Sequence, residues 1–341
     1  MSKILVTGGS GYIGSHTIID LLDHGHEVIS IDNYMRSLPS AMSNIEKVTG
    51  KKVTNYDIDL CDRKAVENLF SKEKGITGII HFAALKSVPE SVANPLSYYH
   101  NNLESLVVLL YMAQQHQVKQ FVFSSSCSVY GNASELPVTE DTSLQEAESP
   151  YARTKQISEK IILEFSKVCD TKFVVLRYFN PVGAHESALI GENPKDGLVF
   201  NIFPRVTGTA LGQYEFLDVF GGDYPTRDGT CVRDYIHVMD IAHAHTLSIQ
   251  YLDKNADAPK YDLFNLGTGI GVTVLEVIHA FERVSGVKLN YRIQPRRDGD
   301  VVAVYANNEK AKTKLGWTAT RNLDTMLKTA WDWENAKQKS Q

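Results

Sequence analysis

The chain has 341 residues, of which 43% are hydrophobic and 22% charged. At roughly 150 residues per domain this length suggests two domains, or one large domain with an added lobe, and the apolar share excludes a disordered chain. The 35 basic and 40 acidic residues give a net charge of −5, which argues against a nucleic-acid partner but leaves room for a small anion held by a few local arginines.

Taken in order, short apolar runs rich in β-branched and aromatic residues fall at residues 4–6, 28–31, 53–58, 78–82, 121–124 and 173–176. They are apolar on both faces, as buried parallel strands are. Helical patterns lie between them at residues 13–24, 63–72, 96–115 and 151–168. This alternation predicts an α/β fold, a doubly wound parallel sheet of Rossmann-like type, with a smaller α/β substrate-binding lobe. Residues 181–232 break the rhythm with turn-forming pairs such as Asn193-Pro194, Gly221-Gly222 and Asp228-Gly229. We therefore expect a cofactor domain over residues 1–180 and a lobe from residues 181–232 and 266–341. A helical pattern at 233–252 and a strand at 261–266 return residues 233–265 to the larger domain.

The start of the chain carries too short an apolar run for a signal peptide. No stretch approaches the roughly 18 apolar residues of a membrane span. A cytoplasmic protein with no membrane partner is expected. The four cysteines, Cys61, Cys127, Cys169 and Cys231, show no C-x-x-C spacing and read as reduced thiols. The eleven histidines form no H-E-x-x-H motif, and His243 and His245 point to different faces of a helix. No metal site is expected.

Two motifs carry chemistry. After the first strand comes Thr7-Gly8-Gly9-Ser10-Gly11-Tyr12-Ile13-Gly14. Glycines at a strand-to-helix turn let the backbone approach a pyrophosphate, and the helix N-terminus supplies N–H donors. Asp32 ends the second strand, where a carboxylate bonds both ribose hydroxyls and repels the 2′-phosphate of NADP; NAD is the expected cofactor. A second glycine run, Gly267-Thr268-Gly269-Ile270-Gly271, has no such acid after it and reads as an ordinary turn before a Thr273–Glu276 capping box. The other motif is Ser149-Pro150-Tyr151-Ala152-Arg153-Thr154-Lys155. Ser149 suits an N-cap and Pro150 a first helical position, so Tyr151 and Lys155 share a face. The neighbouring ammonium, a cationic nicotinamide and the helix N-terminus would favour the phenolate, a base for a sugar hydroxyl. Upstream, Ser124-Ser125-Ser126 follows a strand and faces the ligand crevice.

Together these signatures resemble the extended short-chain dehydrogenase/reductase family, and among its members those that epimerise UDP-sugars at C4. The likeness spans nearly the whole chain. Its further motifs are His81–Lys86, Val129-Tyr130-Gly131, Arg177–His185, Asp223–Thr226, Val232–Val238 and Pro295–Asp300. The resemblance implies Tyr151 as base, Lys155 as its positioner and Ser126 on the sugar oxygen. It implies NAD contacts, with the cofactor tightly bound, at Gly8, Gly11, Tyr12, Ile13, Gly14, Asp32, Asn33, Asp59, Leu60, Phe82, Ala83, Ala84, Lys86, Asn101, Tyr151, Lys155 and Tyr178. Substrate contacts would be Ser126, Tyr151, Asn180, Asn201, Phe220, Arg233, Arg297, Asp300 and Val304. Arg233 and Arg297 offer forked, permanently charged donors to a diphosphate. Dehydratases of the family carry Asp-Glu after the strand-end hydroxyl; here Cys127-Ser128 follows Ser126, which fits oxidation and re-reduction at C4 without loss of water. The implied activity interconverts UDP-glucose and UDP-galactose, through a homodimer. Val304 stands where relatives often carry tyrosine, which would leave volume for N-acetylated sugars. A dehydrogenase exchanging NAD(H) with solvent, and a silent dinucleotide-binding scaffold, stay open beside this reading.

Overall fold

A computed structural model describes residues 2–195, 197, 201–255, 257–297 and 301–339. The first half alternates strand and helix: β1 (Lys3–Thr7), α1 (Tyr12–Asp23), β2 (Glu27–Ile31), α2 (Ser40–Thr49), β3 (Thr54–Tyr56), α3 (Arg63–Lys72), β4 (Ile76–His81), α4 (Val88–Ala93), α5 (Pro95–Gln115), β5 (Gln120–Ser126), α6 (Pro150–Ser166) and β6 (Lys172–Tyr178). Next come β7 (Asn180–Val182), α7 (Ile202–Ala210), β8 (Leu217–Phe220), β9 (Val232–Arg233), β10 (Tyr235–His237), α8 (Val238–Lys254), β11 (Tyr261–Leu266), β12 (Val272–Thr273), α9 (Val274–Ser285), β13 (Tyr291–Gln294), β14 (Ala303–Val304) and α10 (Leu323–Lys339).

Seven parallel strands form the main sheet in the order β11-β6-β5-β4-β1-β2-β3. Alternation within β1 shows why its apolar run is unbroken. Ile4 and Val6 join the core layer that includes Ile18 of α1 and Ile241 of α8, while Leu5 joins the layer that includes Val66 of α3 and Leu109 of α5. Both faces are covered, so neither tolerates polar residues. The strand order reverses between β1 and β4, which opens a crevice at their carboxyl ends.

A second core joins Phe203 and Val206 of α7, Val219 of β8, Phe281 of α9 and Leu327 of α10. Three small sheets accompany it: β8 with β13, β10 with β7, and β9 between β12 and β14. The helical pattern expected at 233–252 needs correction. Its first residues are the short strands β9 and β10, and the helix begins only at Val238. Arg233 pairs with Val272 and Val304, and Tyr235 with Asn180. These distant partners outweigh local helical preference.

Candidate active site

The carboxyl ends of β1, β2, β4, β5 and β6 share one edge, with Thr7 opposite both Ile31 and His81, and Ser126 opposite Tyr178. Beyond β1 the chain turns at Gly8, with φ of +72°, and its N–H donates to the Ile31 carbonyl at 2.7 Å. A Cβ on Gly8 would lie 2.9 Å from the Ala83 nitrogen, and one on Gly14 2.2 Å from the Gly8 oxygen. Those two glycines let the turn close. At Gly11 a Cβ would meet Gly8 O at 3.1 Å and otherwise open space. Gly11 is also the N-cap of α1 and brings no capping side chain, so the first-turn N–H groups stay available to an anion. Ser10 Oγ is buried without a hydrogen-bond partner among the described residues. This cradle fits the pyrophosphate of a dinucleotide.

Asp32 is buried and accepts from Ser10 N at 2.9 Å, Tyr34 N at 2.9 Å and Ser37 Oγ at 2.7 Å. It ties the glycine turn to the loop after β2, where Asn33 accepts from Met35 N. Tyr12 donates to Gly183 O at 2.5 Å, and Ile13 packs on the α1 core layer. Asp59 is exposed and caps Cys61 N beside buried Leu60. Phe82 lies against His245, with ring centroids 4.5 Å apart, and Ala83 N donates to Thr7 Oγ1. Ala84 is half-buried on the same loop. Asn101 donates to Asn102 Oδ1. Asn102 in turn bonds Leu85 N at 2.8 Å and Leu85 O at 3.0 Å, fixing the loop after β4.

Helix α6 starts as its capping residues predict: Ser149 Oγ accepts from Ala152 N at 3.2 Å, with proline in the first turn. Tyr151 is hydrogen-bonded to Ser126. Lys155 is buried, its Nζ 2.7 Å from Ser124 O and 6.0 Å from the Tyr151 ring centroid. Tyr178 bonds Ser124 through its hydroxyl. The structure thus gathers Ser126, Tyr151, Lys155 and Tyr178 at the ends of β5 and β6. The protein groups alone, without the nicotinamide cation, set the following electrostatics. Burial pushes the Tyr151 phenol up to about 12, outweighing its Ser126 hydrogen bond. Burial also pushes the Lys155 ammonium down to about 8, against the pull of Glu159. The lysine therefore loses its charge before the phenol ionises, so the protein alone does not make a phenolate near neutrality.

On the lobe side, Arg233 Nη1 donates to Val232 O and Val301 O, each at 2.9 Å. The Arg297 guanidinium lies 3.8 Å from the centroid of Phe220, so these two meet. Asn180 N donates to Asp234 O, and Asn201 stands at the N-cap position of α7 without a side-chain capping bond. Val304 is buried with Val129, Tyr130 and Phe179. Asp300 lies outside the described residues.

Three residues escaped the sequence reading. Glu192 accepts from Lys86 at 2.9 Å and from Asn201 at 3.4 Å, bridging an expected cofactor contact and an expected substrate contact. Glu159 forms a buried ion pair with Arg177 beneath the serines. Asp234 accepts from the N–H groups of Thr268, Gly269 and Ala306 at 2.8, 3.1 and 3.1 Å. The second glycine run thus binds an internal carboxylate.

Residues 5–330 match the GDP-mannose 4,6 dehydratase family. The UDP-glucose 4-epimerase of Bacillus subtilis (strain 168) is 47% identical over 335 residues, covering 98% of this chain and 97% of that protein. The chain belongs to the UDP-glucose 4-epimerase family, within the extended short-chain dehydrogenases/reductases. The solved UDP-glucose 4-epimerase from Bifidobacterium longum, in complex with NAD+ and UDP, superposes with a TM-score of 0.93 at 45% identity, covering 99% of each chain. The UDP-Glc/GlcNAc 4-epimerase of Campylobacter jejuni superposes at 0.84 with 36% identity, covering 98% of this chain and 100% of that one. In this family member the glycine cradle, the Ser126–Tyr151–Lys155 group and the Phe220–Arg297 pair lie on one continuous fold. No helix is long and apolar enough to cross a membrane among the described residues.

Proposed function

We propose that this chain interconverts UDP-glucose and UDP-galactose with tightly bound NAD, in the cytoplasm. The observation that carries the reading is the Ser126–Tyr151–Lys155 group beside the Gly8–Gly14 cradle. Gly8, Gly11, Tyr12, Ile13, Gly14, Asp32, Asn33, Asp59, Leu60, Phe82, Ala83, Ala84, Lys86, Asn101, Tyr151, Lys155 and Tyr178 would hold NAD. When bound, it supplies a hydride acceptor at C4 that serves as donor in the return step, so no net cofactor is used.

Tyr151 takes the proton of the sugar 4-hydroxyl and later returns one to the new alcohol. Ser126 bonds the sugar oxygen, and Lys155 orients the phenol. Arg233 and Arg297 take the diphosphate, while Asn180, Asn201, Phe220 and Asp300 complete the nucleotide-sugar site. Binding energy concentrated on UDP, remote from C4, lets the 4-keto sugar turn over while the nucleotide stays fixed. The purified protein, given UDP-galactose and no NAD, is expected to form UDP-glucose in a coupled assay. No product without added NAD would favour a dehydrogenase, and no product with it would sink the assignment.

Val304 favours a wider substrate range. It is a small side chain in a small buried cluster, and the Campylobacter jejuni relative is a UDP-Glc/GlcNAc 4-epimerase. With UDP-GlcNAc formation followed directly by chromatography, UDP-GalNAc should turn over, and Val304→Tyr should lower its kcat/KM far more than that of UDP-galactose. Equal losses for both sugars would remove Val304 from specificity.

The chain would act as a homodimer through α5 and α6, whose Leu96, Tyr111 and Leu163 are 81%, 46% and 41% exposed. Three large apolar groups on adjacent helices suit a self-complementary interface. Sedimentation should give twice the chain mass, and Leu163→Glu should give monomer. A monomeric wild type would overturn the pairing.

A further inference from the structure

A cluster of metal-ligating groups lies away from the crevice, at the other end of α1 from the glycine cradle. Asp20 and His24 stand one turn apart on α1, and His243 faces them from α8. Asp20 Oδ2 is 3.4 Å from His24 Nδ1 and 3.3 Å from His243 Nδ1. All three ligand atoms fall within 4.8 Å of one another. A tetrahedral ion with metal–ligand bonds of about 2.05 Å has ligand–ligand edges of about 3.3 Å. Both Asp–His edges already have that length. The His–His edge would close by rotation of rings that are part-exposed, at 35% and 40%.

The carboxylate is prepared for the role. Asp20 keeps only 11% side-chain exposure. Its Oδ2 already faces the Nδ1 atoms of both imidazoles. The partial exposure of the two imidazoles gives an ion a path in and leaves room for a water as fourth ligand. Metal at His24 Nδ1 replaces a ring proton now shared with Asp20 O at 2.7 Å. That carbonyl keeps a donor in the backbone N–H of His24, at 3.1 Å.

We propose that Asp20, His24 and His243 form a binding site for a divalent transition ion that pins α8 to α1. Two imidazoles and one carboxylate select a borderline ion such as Zn2+ or Co2+ over Mg2+ or Ca2+. The ligands lie 219 residues apart in the chain between His24 and His243, so no sequence motif announces them. Among the described residues no hydrogen bond or ion pair of His24 or His243 reaches a group assigned to NAD or UDP, and the role of the site is to hold the helix whose first turn forms the glycine cradle.

The test uses untagged, chelator-treated full-length protein titrated with ZnCl2, and with CoCl2 for its visible spectrum. One equivalent of Zn2+ should bind and raise Tm, and Co2+ should give the intense bands of a four-coordinate site. His24→Ala and His243→Ala, both at part-exposed positions, should each weaken Zn2+ by more than the ~10–100-fold that even an outer partner is worth. Each should keep the native fold without metal and the epimerase activity. MgCl2 should give no response. No Zn2+ uptake by the wild type would overturn the site, as would unchanged stoichiometry and affinity in both variants.

Discussion

Tyr151 shows how far neighbouring residues can tune one group. Burial raises its phenol and Ser126 lowers it, and burial wins. Lys155 cannot reverse this, because the same burial strips its own proton near pH 8. The missing favourable charge must come from the ligand side, where a cationic nicotinamide beside the phenol stabilises its anion. An ultraviolet difference titration, read against Tyr151→Phe, should therefore detect no Tyr151 phenolate below pH ~10 in NAD-free protein. Loading with NAD should bring its ionisation down. Ser126→Ala should move the acid limb of kcat/KM to higher pH, since it deletes the protein hydrogen bond that favours the anion. An acid limb that stays in place in Ser126→Ala would show that the serine only positions the sugar.

At the level of elements, α6 aligns the catalytic pair, and its start depends on one side chain. Ser149 Oγ caps Ala152 N, and Ser149 itself is still extended. Ser149→Ala should cost about 1 kcal/mol of stability, as loss of an N-cap does. Because Tyr151 sits in that first turn, kcat should fall while KM for the UDP-sugar holds, a split that thermal melts and steady-state kinetics resolve together. An unchanged kcat would mean that packing, not the cap, sets the turn. This start was legible in the sequence because cap, proline and helix are consecutive. So was the glycine turn, whose strand, turn and helix are also consecutive. The beginning of α8 was not. Arg233 and Tyr235 become strands only because Val272, Val304 and Asn180 pair with them. Glu192 and Asp234 were hidden for the same reason: their partners, Lys86 and Asn201 for one and the 268–269 turn for the other, are brought near only by the assembled fold.

Across the molecule, a set of buried histidines makes folding sensitive to acid. Burial holds His16 and His245 down to about 4, His81 to about 3 and His237 to about 2, all from an ordinary 6.5. They lie in α1, α8, β4 and β10, and His237 bonds Thr329 of α10 at 3.0 Å. Each stays neutral in the fold while its unfolded counterpart takes a proton. Where the unfolded chain binds more protons, stability rises with pH, by up to about 1.4 kcal/mol per pH unit for each such group. Their contribution is complete above pH 6.5 and is lost as pH falls from there towards 4. His243 runs the other way, raised by Asp20, but it is one part-exposed group against four buried ones. Urea midpoints should therefore be level between about pH 7 and 8, below the range where buried Lys155 begins to lose its proton, and fall steeply between about pH 6 and 5. His245→Gln should start from lower stability, because it disturbs a packed site, yet show a shallower fall. A midpoint that is flat across that interval would mean the buried histidines are already charged in the folded protein.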